Sequence, residues 1–269
     1  MNPLKPLLLA IVWYIQTVCV TAQPLPLPGH SHNDYNRQKP LIGALELGYR
    51  SIEVDVFLHK GQLRVSHDPF GLDKKPTLEE LYLAPLLQIT QTEAATYGLD
   101  STKPLVLMID FKTDGEETYA ALKPYLNKYK QMLSIADNGA KQGYVHILIS
   151  GNKPYNSVAK ETSRLVSLDY KFDFCREHAT DSCITRASDN YKNYLTWKGA
   201  GEMPWQEKIM LAELINLAHT EGRQIRFWDM PETPETWQLF LDMGVDWIHV
   251  DDIEAFQAFY SIYKKTEDR

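Results

Sequence analysis

Ser51–Pro69 reads SIEVDVFLHKGQLRVSHDP, and this stretch decides the fold. Alternate residues of a β-strand share a face, so Glu53 and Asp55 in SIEVDVF converge on one point. HKGQ is a turn signal and LRVSH reads as the next strand, which brings His67 and Asp68 back towards the carboxylates. Two carboxylates and a histidine at neighbouring strand ends suit a metal site with an acid/base group beside it.

Working outward, Pro104–Ile109 (PLVLMI) is a continuous apolar run, as expected of a parallel strand covered on both faces. Tyr144–Ile149, Gln224–Trp228 and Val245–Val250 are further strands, with weaker candidates at Leu165–Leu168 and Ile184–Ala187. Helical spacing falls between them. Leu41–Gly48 ends at its glycine, and Thr77 and Glu80 have capping-box spacing. Glu116–Leu133 carries an internal Pro124, Trp205–Thr220 is stopped by Gly222, and Pro234–Asp242 ends at Gly244. Alternating strands and amphipathic helices imply a parallel sheet. About eight strands in a chain of 269 residues predict an α/β fold, a single (β/α)8 TIM-type barrel over residues 23–269. Residues 151–204 are expected to carry irregular strands and loops over one mouth.

Hydrophobic residues make up 44% of the chain and charged residues 23%, enough for a full core beneath an ordinary solvated surface. A formal charge of −7 argues against nucleic acid as a partner, which needs a basic stripe. Residues 1–22 read as a signal peptide: Lys5, a short apolar run from Leu7 to Ile15, and small residues ending at Ala22. The expectation is an exported protein, periplasmic or secreted, monomeric, with no integral membrane segment after cleavage. Only Cys175 and Cys183 then remain, and export suggests that they form a disulfide.

In a barrel of this kind functional residues sit at the C-terminal ends of the strands. His30, Glu53, Asp55, His67, Asp110 and Lys112 all fall there. Glu53, Asp55 and Asp110 offer oxygen ligands to a hard divalent cation, Mg2+ or Ca2+. Lys112 shares a face with Asp110 and would contact an anionic oxygen. Two histidines would divide the proton transfers. His146, within YVHILIS, reads as a packed core histidine, and Asp251 or Asp252 as the cap of the last helix.

Gly29-His30-Ser31-His32-Asn33-Asp34-Tyr35, Glu53-x-Asp55, His67-Asp68 and Asp110-x-Lys112 together resemble the glycerophosphodiester phosphodiesterase and phosphatidylinositol-specific phospholipase C superfamily. The resemblance spans roughly residues 25–252, including the segments Arg226–Trp228 and Gly244–Asp251. It implies a metal-dependent phosphoric diester hydrolase acting on a small glycerophosphodiester or a phospholipid head group. Its catalytic residues would be His30, His67, Lys112 and His32, its metal ligands Glu53, Asp55 and Asp110, and its substrate contacts Asn33, Arg226 and Trp228. The HSHNDY form departs from the usual His-Arg-Gly and is similar to a subgroup that includes the altered-inheritance-of-mitochondria proteins. It leaves both His30 and His32 as candidates for the first histidine. Two other readings stay open: a zinc amidohydrolase using His30-x-His32 with His146 and Asp251, and a catalytically silent barrel that binds a phosphorylated ligand.

Overall fold

The computed structural model describes residues 24–135 and 142–267; the expected leader, residues 1–22, lies outside them. Eight strands run parallel: β1 (Leu27–Ser31), β2 (Tyr49–His59), β4 (Leu105–Phe111), β5 (Val145–Gly151), β6 (Val166–Tyr170), β7 (Ile184–Asn190), β8 (Gln224–Trp228) and β9 (Trp247–Val250). β1 pairs with both β2 and β9, so the sheet closes into a barrel. β3 (Gln62–Val65) stands outside the closure, as an antiparallel hairpin partner of β2. Its turn places Lys60 and Gly61 both at positive φ (50° and 74°), the geometry of a two-residue primed hairpin turn.

Helices cover the outside: α1 (Ile42–Glu46), α2 (Ala84–Thr92), α3 (Gly115–Lys128), α4 (Tyr155–Val158), α5 (Phe172–Glu177), α6 (Trp205–Thr220), α7 (Pro234–Met243) and α8 (Ile253–Glu267). The Thr77–Glu80 capping box forms as read, with Thr77 N donating to Glu80 and Glu80 N donating to Thr77 Oγ1. It opens a π-helical turn, Glu79–Leu83, that runs into α2. α3 stops five residues short of the expected Leu133, because Leu133 bridges in parallel to Val145 at the entry to β5. Residues 151–204 supply two barrel strands, β6 and β7, whose pairing is irregular between Leu168 and Asp169.

Strand alternation divides the apolar from the polar. Ile52, Val54, Leu105, Leu107, Ile109, Ile225, Phe227, Ile248 and Val250 join the main core with residues of the helices. The opposite faces of the same strands form the lumen. There a small apolar cluster of Val106, Met108 and Leu148, with Trp247 packed on it, lies apart from the main core. The rest of the buried lumen-facing set is polar and includes His30, Ser51, Glu53, Asp55, Asp169, Arg186, Ser188, Arg226 and His249. Closed barrels are ordinarily filled by branched aliphatic layers, so this polar interior is a departure from the usual filling.

The expected Cys175–Cys183 disulfide is absent; both are free thiols. Each is buried in the main core, Cys175 on α5 with its Sγ directed at the Tyr170 carbonyl oxygen, Cys183 just ahead of β7. Burial pushes the Cys175 thiol up to about 11, so it behaves as a small apolar side chain rather than a nucleophile.

Candidate active site

The C-terminal ends of the strands open into a cavity of about 680 Å³ whose wall includes His32, Glu53, Asp110, Lys112, Arg226 and Trp228. Glu53 and Asp55 come from β2 and Asp110 from β4; the register sets Asp55 directly beside Asp110. Their ligand atoms, one from each residue, lie within 4.8 Å of one another. Lys112 Nζ sits 3.1 Å from Asp55 Oδ2 and 3.1 Å from Asp110 Oδ1. Burial disfavours the ammonium, but the charges of Asp110 and Asp55 outweigh it and raise the Lys112 pKa. Burial raises that of Asp110. Gly151 makes this packing possible. A Cβ there would lie 2.3 Å from Asp110 Oδ1, and its φ of +68° suits glycine.

Asp55 Oδ2 is crowded: Tyr35 Oη donates to it at 2.8 Å and His67 Nδ1 lies 3.0 Å away. Its Oδ1 is buried with no hydrogen-bond partner among the described residues. A buried carboxylate oxygen left unpaired is costly. A divalent cation shared with Glu53 and Asp110 would satisfy it, so the all-oxygen donor set fits Mg2+ or Ca2+. His67 follows β3 and is 61% exposed, standing at the cavity edge with Nδ1 turned to Asp55.

β1 ends at Ser31, earlier than a strand carrying both histidines to Asp34 would. His30 and His32 nonetheless both project inward, at different depths. His30 is fully buried, its Nε2 2.7 Å from Glu53 Oε2 and its Nδ1 2.7 Å from Ser51 Oγ. Burial first, then the nearby Arg226 charge, hold the His30 pKa well below its ordinary value. Although burial opposes it, the His30 hydrogen bond and the Arg226 charge keep Glu53 ionised. The partners fix the tautomer: Arg186 Nη1 donates to Ser51 Oγ at 3.2 Å, Ser51 donates to His30 Nδ1, and His30 Nε2–H donates to Glu53. Both His30 nitrogens are therefore engaged.

His32 lines the cavity instead, with Nδ1 2.6 Å from Asp251 Oδ1. Burial alone would lower its pKa; the Asp251 hydrogen bond and the charges of Glu53 and Asp251 raise it. Asp251 thus serves His32, while Asp252 caps α8 by accepting from Ala255 N at 2.9 Å. Among the expected substrate contacts, Trp228 and Arg226 line the cavity, but the Arg226 guanidinium is 3.3 Å from Glu53 and 3.7 Å from Asp169. Asn33 is not in the cavity wall; in a left-handed conformation (φ 46°), its Oδ1 lies 3.1 Å from Tyr35 Oη, whose one proton goes to the closer Asp55. His146 is packed at the opposite mouth, held by Ser167 Oγ at 2.6 Å and lowered to about 4 by burial. His30, His32 and His146 therefore do not assemble into one zinc site. The sequence reading missed Asp169, Lys153, Lys171 and His249, which also line the cavity. Asp169 and His249 lie at strand ends and were within reach of the same positional rule.

A closed parallel barrel whose C-terminal mouth gathers three carboxylates, a lysine and a histidine is a TIM-type barrel with a carboxylate cluster that could hold a metal ion. Residues 19–169 match the AIM6-like phosphodiesterase domain, and the chain belongs to that family. It is similar to the altered inheritance of mitochondria protein 6 of Eremothecium gossypii, 29% identical over 86% of this chain and 68% of that one. The homologue from Arthroderma benhamiae is 28% identical over 90% of this chain and 86% of its own length. Among solved structures, a glycerophosphodiester phosphodiesterase from Parabacteroides distasonis superimposes with a TM-score of 0.47 at 16% identity, covering 90% of this chain and 98% of that one.

Proposed function

We propose that the protein is an exported, metal-dependent phosphodiesterase acting on a glycerophosphodiester or phospholipid head group. The observation that carries this reading is the Asp55 carboxylate. One oxygen joins Lys112, His67 and Tyr35, and the other, beside Glu53 and Asp110, is buried without a partner among the described residues. A divalent cation held by Glu53, Asp55 and Asp110 would supply charge neutralisation at the phosphate. Lys112 adds a positive charge for a non-bridging phosphate oxygen. His67, with Nδ1 oriented by Asp55, offers Nε2 for proton transfer to or from the reacting oxygen. Lys153, Lys171 and Arg226 make the cavity wall attractive to an anion despite the acidic chain. Tyr35 is raised by burial and then by the Asp55 charge, so its phenol stays protonated and holds Asp55 in place.

On this reading His30 is a positioning residue that fixes and ionises Glu53, and the acid/base work narrows to His67. His32 faces the substrate cavity from the other flank of Glu53.

Chelation tests the proposal. Stripping divalent cations with EDTA should abolish hydrolysis of bis(p-nitrophenyl) phosphate and of glycerophosphodiesters, and Mg2+ or Ca2+ should restore it. Undiminished turnover after verified metal removal would overturn the assignment of Glu53, Asp55 and Asp110.

A further inference from the structure

His249 is a buried titratable group in the cavity wall that the proposed chemistry leaves unused. It is 4% exposed, on β9, yet its Nδ1 has no hydrogen-bond partner among the described residues. Two neighbours could use such an imidazole. The β1–β9 register pairs His30 with His249, and His32 N donates to Val250 O at 3.1 Å, so His32 and Asp251 come to the rim above His249. The His32 and His249 ring centroids are 4.3 Å apart. Ligand atoms of His32, His249 and Asp251, one from each, lie within 4.8 Å of one another, and all three residues line the cavity. Asp251 is held from behind: its backbone N–H donates to both oxygens of Glu232, at 2.9 and 3.0 Å.

We propose that His32, His249 and Asp251 form a second cation site, separate from the carboxylate cluster, for a late first-row divalent cation such as Zn2+. Two imidazoles and one carboxylate suit Zn2+, which takes nitrogen and oxygen ligands tetrahedrally and leaves a fourth position open in functional sites. Glu53, Asp55 and Asp110 offer oxygen alone and suit a harder cation. Each of the two sites contains one buried polar atom without a hydrogen-bond partner among the described residues, Asp55 Oδ1 and His249 Nδ1. An unpaired buried polar group is expensive, and in both places a cation would remove the cost.

The test is calorimetric titration of the full, metal-stripped protein with Zn2+ in saturating Mg2+, with Co2+ absorption as a probe of nitrogen ligation. We expect one equivalent of Zn2+. His249→Gln and Asp251→Asn should each weaken it by at least about 100-fold, beyond the roughly 10–100-fold typical of losing an outer partner. Asp55→Asn should leave it intact. The Asp251 side chain is 67% exposed, so Asp251→Asn reports on binding even if His249→Gln folds poorly. No Zn2+ uptake by the wild type, or unchanged affinity in Asp251→Asn, would overturn the site, as would loss of uptake in Asp55→Asn. Zn2+ binding does not depend on the phosphodiesterase reading. Uptake without diester turnover would refute only that reading, and Mg2+-supported turnover without uptake would refute only this site.

Discussion

Lys112 lies between Asp55 and Asp110 and so does two things at once. It neutralises carboxylates that would otherwise repel each other, and it competes with any cation for the same oxygens. Lys112→Met keeps most of the stem and removes the charge. Diester turnover should fall by roughly 10²–10³-fold, the scale of losing one electrostatic donor. Mg2+ affinity, measured by calorimetry, should rise because the ammonium no longer competes. Unchanged turnover would reduce Lys112 to a packing residue. Sequence spacing correctly placed Lys112 and Asp110 on one face, but it did not reveal that the lysine points at the carboxylates. Nor could it separate His30 from His32. Both lie on the lumen side, and only depth in the closed barrel makes one a buried partner of Glu53 and the other a wall of the cavity.

At the scale of elements, the segment from β8 to α7 carries its own titration. Glu232 accepts from the backbone of Asp251 and Asp252, yet burial raises its pKa from 4.5 to about 7, with the Asp251 charge adding to the rise. A carboxyl whose pKa is raised by folding binds more protons folded than unfolded. Its favourable contribution is full below 4.5 and is lost as pH rises towards about 7. Glu232→Gln removes that dependence. Relative to the variant, the wild type should lose stability between these pH values, read from denaturant midpoints of metal-free protein. Parallel pH profiles would contradict the shifted carboxyl. The elements themselves were largely legible. α6 and β8 match their expected bounds because a periodic helix, a glycine stop and a buried β-branched and aromatic run agree locally. The π-helical turn at Glu79–Leu83 has no such signal, because the capping box marks a helix start and not its pitch. β3 was legible as a strand, whereas its position outside the barrel depends on pairing that sequence alone does not specify.

For the whole molecule, the barrel followed from strand count and alternation, while the state of the cysteines followed from packing. Cys175 and Cys183 sit in the main core as free thiols, not in the disulfide that export suggests. Protein unfolded without reductant and alkylated should carry label at both positions on peptide mapping. Labelling that appears only after reduction would restore the disulfide. The polar lumen was harder to foresee. Arg186 looks like an ordinary charged residue in a weak strand pattern until closure turns it inward.

One part of that lumen reaches from wall to wall. Arg186 on β7 bonds Ser51 on β2, Ser51 bonds His30 on β1, and His30 bonds Glu53. The Glu53 carboxylate is therefore located by reference to a strand on the far side of the barrel as well as by its own backbone. A cross-tie of this kind works as a gauge of girth. If helix repacking made the barrel more oval, the tie would slacken or tighten and Glu53 would shift without any nearby residue changing. Substitutions far out on the helical shell thus have a mechanical route to the mouth that holds the carboxylates.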